Sequence, residues 1–133
     1  MALVFPARAS KYIGRELPWV ASRNPGAFLS ACKELGITSF KYKYLGCYEI
    51  DIDVNGASIS EEILSSGSYQ FQLFCRLNEI FSKFDCCFVN IGANIGTSCL
   101  NGHKIGFRDF IAFEPVDYNF QILKRNLSTI DSD

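Results

Sequence analysis

The sequence predicts an α/β fold in which two parallel strands and their helices follow an N-terminal helix and an antiparallel β segment. Two short apolar runs carry this prediction, CCFV at residues 86–89 and FIAF at residues 110–113. Neither run alternates with polar residues, which is typical of strands buried on both faces of a parallel sheet. The segment from Ile95 to about Gly106 has the length of the crossover helix that a parallel pair requires.

The first part of the chain predicts a short helix after an irregular lead-in. Residues 1–23 are weakly patterned and predict an extended or frayed lead-in. Asn24 and Pro25 then fit the N-cap and the first position of a helix, where an Asn oxygen accepts a backbone hydrogen bond and a missing N–H costs nothing. The helix is predicted from Ala27 to Leu35, with its end at Gly36.

A change of period between Phe40 and Val54 predicts β structure. Apolar residues alternate there with charged ones, which indicates either an antiparallel strand pair or one long bent strand, with Gly46 as the bend. Three acidic residues share one face of the second half: Glu49, Asp51 and Asp53. We interpret them as a solvated strand face rather than a metal site, because no His or further carboxylate is placed to complete a ligand set.

Apolar spacing predicts the remaining helices. A short helical turn begins at Ser60 and ends near Gly67, and a longer helix runs from Tyr69 to Phe84. Its apolar residues recur at helical spacing and are expected to pack on the sheet: Phe74, Leu77, Phe81 and Phe84. A last helix is predicted after Pro115.

Gly92, Gly96 and Glu114 are candidates for a ligand site at the carboxyl ends of the two strands, where open parallel sheets bind ligands. Glycine lets a ligand approach the backbone, and a helix N-terminus favours an anionic group. A carboxylate at the end of the second strand can accept both hydroxyls of a ribose. Each feature alone has an ordinary structural explanation, a tight turn or a helix-start acid. Their combination favours a nucleoside ligand that also carries a small anion.

The spacing of the glycines argues against a dinucleotide. The fingerprint G-x-G-x-x-G needs its second glycine beside the pyrophosphate, and Asn94 occupies that position. The sequence also has no phosphate-binding loop with Lys and Ser or Thr. A nucleotide-dependent oxidoreductase is therefore disfavoured. S-adenosylmethionine has the required shape, because it joins an adenosine to an amino-acid carboxylate without a phosphate.

Three spaced motifs resemble the FkbM family of S-adenosylmethionine-dependent methyltransferases: VNIGANIG at residues 89–96, IAFEP at 111–115 and NFQILKRNL at 119–127. The similarity covers about residues 60–127. It implies that the cofactor loop is formed by Gly92, Ala93, Asn94 and Gly96. It also implies that Glu114 holds the ribose. Asn90 lies at a cofactor-binding position where the family usually has Asp, so the shape is kept and the charge is lost.

A further similarity concerns Tyr69. The family often has a G-x-Y-E stretch upstream of its glycine loop, and this chain has GSYQ at residues 67–70, with Gln70 in place of the acid. The resemblance implies that Tyr69 borders the cofactor pocket. A packed or surface tyrosine is the alternative interpretation.

The resemblance implies an incomplete Rossmann-like methyltransferase sheet. Residues 60–133 would form the N-terminal part of a methyltransferase domain, apparently truncated, after an N-terminal extension at residues 1–59. The expected activity is O-methyl transfer to an unidentified small-molecule or glycan acceptor, with the catalytic residues unknown. Because the family's sheet has further strands, we expect this chain alone to lack turnover. The alternative is a non-catalytic remnant or interaction module that pairs through exposed sheet edges with itself or with a completing chain.

Composition and charge exclude several other classes. The formal net charge is −1 and the basic residues are scattered, which gives no surface for nucleic acid. No apolar run has the length of a membrane span, and the N-terminus lacks a signal-peptide pattern. The six cysteines show no metal-ligand spacing, and we interpret Cys86 and Cys87 as small core residues, which favours a reducing cytoplasm. His103 is expected at the surface.

Overall fold

The computed structural model describes residues 18–81 and 83–130 of the 133-residue chain. Within these residues it contains six helices and two two-stranded sheets, so the predicted α/β class is confirmed. The chain divides into two compact units between Gly67 and Ser68. The finer expectation of an incomplete Rossmann-like sheet stays a prediction, as does the domain boundary at residue 60. None of the helices in the described ranges is long and apolar enough to cross a membrane.

The first unit combines three helices with an antiparallel hairpin. Its elements in chain order are α1 (Pro18–Arg23), α2 (Pro25–Glu34), β1 (Ser39–Tyr44), β2 (Tyr48–Asp53) and α3 (Ala57–Ser66). β1 and β2 pair in antiparallel register from Ser39 opposite Asp53 to Tyr44 opposite Tyr48. Of the two predicted β arrangements the structure therefore has the strand pair, and Gly46 lies in its turn.

The start of α2 is as predicted, and the lead-in is partly wrong. The side chain of Asn24 caps α2 by accepting a hydrogen bond of 3.2 Å from the Ala27 amide. The extended or frayed lead-in is expected to reach Arg23, but Pro18–Arg23 is a helix. Proline is well suited to the first position of a helix, and Ala21 is buried, so packing compensates for the weak pattern. Residues 1–17 of the expected lead-in lie outside the described residues.

Two of the acidic residues on β2 are buried, which makes the expected solvated face wrong. Asp51 and Asp53 are only 8% and 7% exposed. Asp51 pairs with Lys41 Nζ across the hairpin at 3.1 Å, and a carboxylate oxygen of Asp53 accepts the Asn55 amide at 2.9 Å. Cross-strand pairing and turn hydrogen bonding therefore satisfy these charges, neither of which the alternating pattern reveals.

The second unit contains the predicted parallel strand pair. Its elements in chain order are α4 (Phe71–Phe81), β3 (Phe88–Ile91), α5 (Thr97–Lys104), β4 (Phe110–Phe113) and α6 (Asp117–Leu127). β3 and β4 pair in parallel from Phe88 opposite Phe110 to Ile91 opposite Phe113. The crossover through α5 and the helix after Pro115 are both where the sequence places them.

Only one face of the β3–β4 sheet is covered in the described chain. On the inner face, Phe88 lies 5.7 Å from Phe74 of α4 and 5.9 Å from Phe110, measured between ring centroids. Gly102 brings α5 close to this face, because a Cβ there would lie 3.1 Å from Cε1 of Phe110. The side chains of the outer face are about half exposed or more: Val89, Ile91, Ile111 and Phe113. The expected burial of both faces is therefore wrong for these residues.

The boundaries of the apolar segments also differ from the prediction. β3 begins at Phe88, whose amide donates to the Asp109 carbonyl at 2.9 Å, so Cys86 and Cys87 precede the strand. Cys87 is exposed and Cys86 half-buried, so their interpretation as core residues is wrong. α4 ends at Phe81, and the rings of Phe81 and Phe84 are 41% and 64% exposed instead of packing on the sheet.

Candidate functional site

An open, mainly apolar depression lies where β3 and β4 end. It has a volume of about 520 Å³ and is lined by Ile91, Gly92, Phe113, Glu114 and Pro115. Open parallel sheets bind ligands at this end of their strands. Glu114 is the one charged side chain among the five, so the depression joins an apolar wall to a carboxylate.

The loop after β3 is fastened to the end of β4. The amides of Gly92 and Ala93 both donate to the Phe113 carbonyl at 2.9 Å. Gly92 has a φ of +78°, which favours glycine, and a Cβ at this position would meet no heavy atom within 4 Å. The backbone of Gly92 is therefore open to a ligand in the depression, as its predicted role requires.

Glu114 connects the loop to the start of α6. Its Oε2 accepts the Asn94 amide at 2.8 Å and its Oε1 accepts the Val116 amide at 2.9 Å. A carboxylate has about four acceptor positions, so about two remain for other donors. The side chain is half-buried, and it can accept two further hydrogen bonds from the predicted ribose ligand.

The amides of the glycine loop are already used within the protein. The Ile95 amide donates to Oδ1 of Asn94 at 2.8 Å, and the Gly96 amide donates to the Ala93 carbonyl at 2.9 Å. Together with the bonds to Phe113 and Glu114, this accounts for every amide from Gly92 to Gly96. An anion at the helix N-terminus would therefore need the first amides of α5, which have no acceptor within the helix.

Gly96 serves the packing of α6 rather than the depression. It has a φ of +91°, and a Cβ there would lie 3.4 Å from Cδ2 of Leu127 and 3.6 Å from Cγ of Leu123. The amide of buried Asn126 supports the same contact by donating to the Ile95 carbonyl at 2.8 Å. The bare side of Gly96 consequently faces α6.

Asn90 lies next to a buried thiol on α5. Its Nδ2 donates to the Sγ of Cys99 across 3.7 Å, and Cys99 is fully buried. Burial raises the pKa of the Cys99 thiol above its ordinary value of 9.0, and the hydrogen bond from Asn90 partly opposes this rise. The carboxamide of Asn90 is therefore directed at α5 and is not among the groups lining the depression.

Tyr69 is held by α5 through its backbone. Its carbonyl accepts a hydrogen bond of 2.8 Å from Nδ2 of Asn101, which is fully buried, and its hydroxyl accepts one of 3.3 Å from Nε2 of Gln70. Tyr69 is half-buried and is not among the five lining residues. The structure thus brings Gly92 and Glu114 together at the depression, with Asn94 joined to Glu114 through its amide and Ala93 buried.

Three residues that hold the second unit together were not singled out from the sequence: Gly102, Asn101 and Asn126. Both asparagines are buried amides whose partners are backbone carbonyls more than thirty residues away in sequence. Asn126 could have been found from its position on the inner face of α6, since it follows Ile122 by four residues. Asn101 and Gly102 carry no comparable local signal.

Neither a metal-ligand cluster nor a histidine is found at this site among the described residues. Within residues 18–81 and 83–130, no group of three or more His, Cys, Asp or Glu residues could hold a metal ion. His103 lies in the last turn of α5, away from the glycine loop at the start of that helix, and its ring is 6.4 Å from that of Phe110.

Comparison of the chain with known proteins gives no match to a protein-family model, to a curated protein or to a solved structure.

Proposed function

We propose that the second unit binds S-adenosylmethionine as the cofactor half of an FkbM-like methyltransferase that acts on an oxygen acceptor. The observation that carries the proposal is the depression at the ends of β3 and β4, where an apolar wall adjoins the Glu114 carboxylate. An adenine suits the wall of Ile91, Phe113 and Pro115, and ribose hydroxyls suit the remaining acceptor positions of Glu114. The lining has no basic group for a phosphate.

In this proposal the residues of the chain orient the cofactor and do not take part in bond making. The bound cofactor would supply an electrophilic methyl group, which an acceptor oxygen takes up as its bond to sulfur breaks. Positioning provides most of the rate in such a transfer. Glu114 fixes the ribose, and Gly92 leaves the backbone open beside it. The acceptor is a small molecule or a glycan. No residue of the chain is assigned to bind it or to take its proton.

Calorimetric titration with S-adenosylhomocysteine tests the proposal. We expect saturable micromolar binding by the monodisperse chain, and weakening of at least about tenfold in Glu114→Gln, because one charge-assisted hydrogen bond contributes about 1.5–3 kcal/mol. Asp117→Asn is the matched control, since Asp117 is an exposed acid in the first turn of α6 and its carboxylate accepts a hydrogen bond from Gln121. Absence of binding, or equal affinity in Glu114→Gln, contradicts the proposal.

A second candidate function is self-association through the sheet. The outer face of β3 and β4 exposes four large apolar side chains, and a contiguous apolar patch of this kind marks an interaction surface. A second copy of the chain could pack its own outer face against this one, as two sheets do at about 10 Å. Ile91 and Phe113 belong to both surfaces, so the two functions compete for these side chains, and cofactor binding by a monomer favours the first alone.

Sedimentation velocity decides between them. Self-association predicts a concentration-dependent dimer that Ile111→Lys abolishes, because a charge on the outer face would be buried without a partner. Ile111 is not among the residues lining the depression, so cofactor binding should be unaffected. Gln121→Lys adds the same charge at an exposed position on α6 and serves as the control. A monomer at all concentrations contradicts this candidate.

A further inference from the structure

A second depression lies at the opposite end of the β3–β4 sheet, where the chain enters the two strands. Its volume is about 250 Å³, and its lining includes three aromatic rings and three charged groups: Phe81, Phe84, Phe107, Asp85, Asp109 and Arg108. Asp85 and Asp109 precede β3 and β4 respectively, whereas Gly92 and Glu114 follow them. The strands are parallel, so this depression is separate from the proposed cofactor site.

Two of the three aromatic rings of this depression are exposed. The rings of Phe81 and Phe84 are 41% and 64% exposed, and Phe81 is the last residue of α4. Phe107 is held against the sheet, with its ring centroid 5.6 Å from that of Phe88. Exposed phenyl rings around a concave surface favour an apolar stem, and their π-faces attract a cation.

The charged part of the depression favours a cation over an anion. Asp85 and Asp109 are exposed, and among the described residues neither carboxylate has a hydrogen bond or an ion pair. The Nη1 atom of Arg108 is used by two backbone carbonyls, since it donates to His103 at 3.1 Å and to Phe107 at 2.9 Å. Two carboxylates against one guanidinium leave an excess of one negative charge on the lining.

We propose that this depression binds a primary alkylammonium group, with the ammonium at Asp85 and Asp109 and the alkyl stem against the phenylalanines. Its volume of about 250 Å³ is below the range of about 300–1,000 Å³ that is usual for drug-sized ligands, so it suits a group the size of one amino-acid side chain. A neutral apolar group would occupy the apolar part of the depression but leave the excess negative charge of the lining without a counter-charge. A free alkylamine and the side chain of a peptide lysine offer this same chemistry.

Titration of the ¹⁵N-labelled chain with butylammonium, followed by the amide spectrum, tests the proposal. We expect saturable shifts at Phe84, Asp85 and Asp109 with a millimolar Kd. Butanol, the neutral analogue, and butyrate, the anionic one, should bind at least tenfold more weakly. Equal binding of butanol would show that only the apolar rim is used and would overturn the proposal, as would the absence of saturable shifts.

Two single variants and one control locate the charge. Asp85→Asn and Asp109→Asn should each weaken butylammonium binding at least threefold, whereas Asp117→Asn on α6 should leave it unchanged. Both carboxylates are exposed, and an unchanged spectrum elsewhere verifies the fold. Independently of any variant, raising the ionic strength should weaken binding to the unmodified chain. Insensitivity to both carboxylate variants and to salt would overturn the proposal.

A lysine peptide identifies the source of the ammonium group. If Gly-Gly-Lys-Gly-Gly binds at least tenfold more tightly than butylammonium, the natural ligand is a peptide lysine; if the two bind equally, the site recognises the amine alone. Either result supports alkylammonium recognition. This inference does not depend on the proposed methyltransferase, and added S-adenosylhomocysteine should leave the shifts at Asp85 and Asp109 unchanged.

Discussion

The backbone amide of Asn94 donates a hydrogen bond of 2.8 Å to Oε2 of Glu114, across a separation of 20 residues in sequence. The other oxygen of the same carboxylate accepts the Val116 amide. A single side chain therefore sets the position of the glycine loop relative to the end of β4 and the start of α6. The residue proposed to bind ribose also has a structural role. Weaker cofactor binding in a Glu114 variant therefore does not distinguish a lost ribose contact from a displaced loop.

Hydrogen exchange separates the two roles of Glu114. In Glu114→Ala both amides lose their acceptor, and we expect the exchange of Asn94 and Val116 to accelerate about tenfold or more, in line with about 1.5–3 kcal/mol for a bond to a charged group. Glu114→Gln keeps one oxygen and should release only one of the two amides. The measurement is amide exchange by NMR, with Asp117→Asn as control. Unaltered exchange in Glu114→Ala would contradict the hydrogen bonds described.

Two helical glycines should respond in opposite directions to alanine. Gly102→Ala places a Cβ 3.1 Å from the Phe110 ring, which Phe88 and His103 also contact, so we expect the overpacking to lower stability by about 1–3 kcal/mol. Gly26→Ala meets only the flexible Glu61 side chain and should gain up to about 1 kcal/mol from helix propensity. Scanning calorimetry measures both. A stabilising Gly102→Ala would show that α5 can move from the sheet.

Burial of Cys99 predicts that the second unit loses stability in alkali. The pKa of this thiol is raised in the folded chain, so the folded state holds the proton more strongly than the unfolded state does. Its contribution is fully present below the ordinary pKa of 9.0 and is lost as the pH rises through the raised value. Urea unfolding of the second unit, followed by NMR between pH 8 and 10, measures the effect.

Two variants check the assignment to Cys99. Cys99→Ala should flatten the pH dependence, because no titrating group then remains at this position. Asn90→Ala should steepen it, because the pKa of the thiol rises further when the donated hydrogen bond is removed. A pH dependence that Cys99→Ala leaves intact would assign it to another group.

Local patterns account for most of the fold. Asn24 and Pro25 predict the start of α2, and the two apolar runs predict β3 and β4 in parallel. Alternation predicts β structure, with the hairpin as one of two arrangements. The same apolar runs wrongly predict that both faces of the strands are buried. A continuous apolar strand implies a second covering layer, which the described residues do not provide. Cys86 and Cys87 were placed in the core for the same reason, although pairing with β4 begins only at Phe88.

For the candidate site, the sequence indicates where Gly92 and Glu114 lie but not which residues they contact. Spacing places Gly92 and Glu114 at the ends of adjacent parallel strands, and the structure brings them to one depression. Sequence did not reveal that Glu114 binds the Asn94 amide or that Gly96 faces Leu127, because both depend on how α5 and α6 pack. Buried Asp51 was missed similarly, since its partner Lys41 lies on the other strand of the hairpin.

The connectivity of the two sheets has a kinetic consequence. β1 and β2 are joined by a tight turn in which the Cys47 amide donates to the Tyr44 carbonyl, so their pairing closes only a short loop. β3 and β4 are separated in sequence by the helix α5. The hydrogen bond from the Asn126 side chain to the Ile95 carbonyl joins residues 31 positions apart. Loop closure costs more entropy over such separations, and folding rates fall with them. We therefore expect the hairpin unit to fold first, during synthesis as well as after dilution from denaturant, with the parallel strands as the slow step.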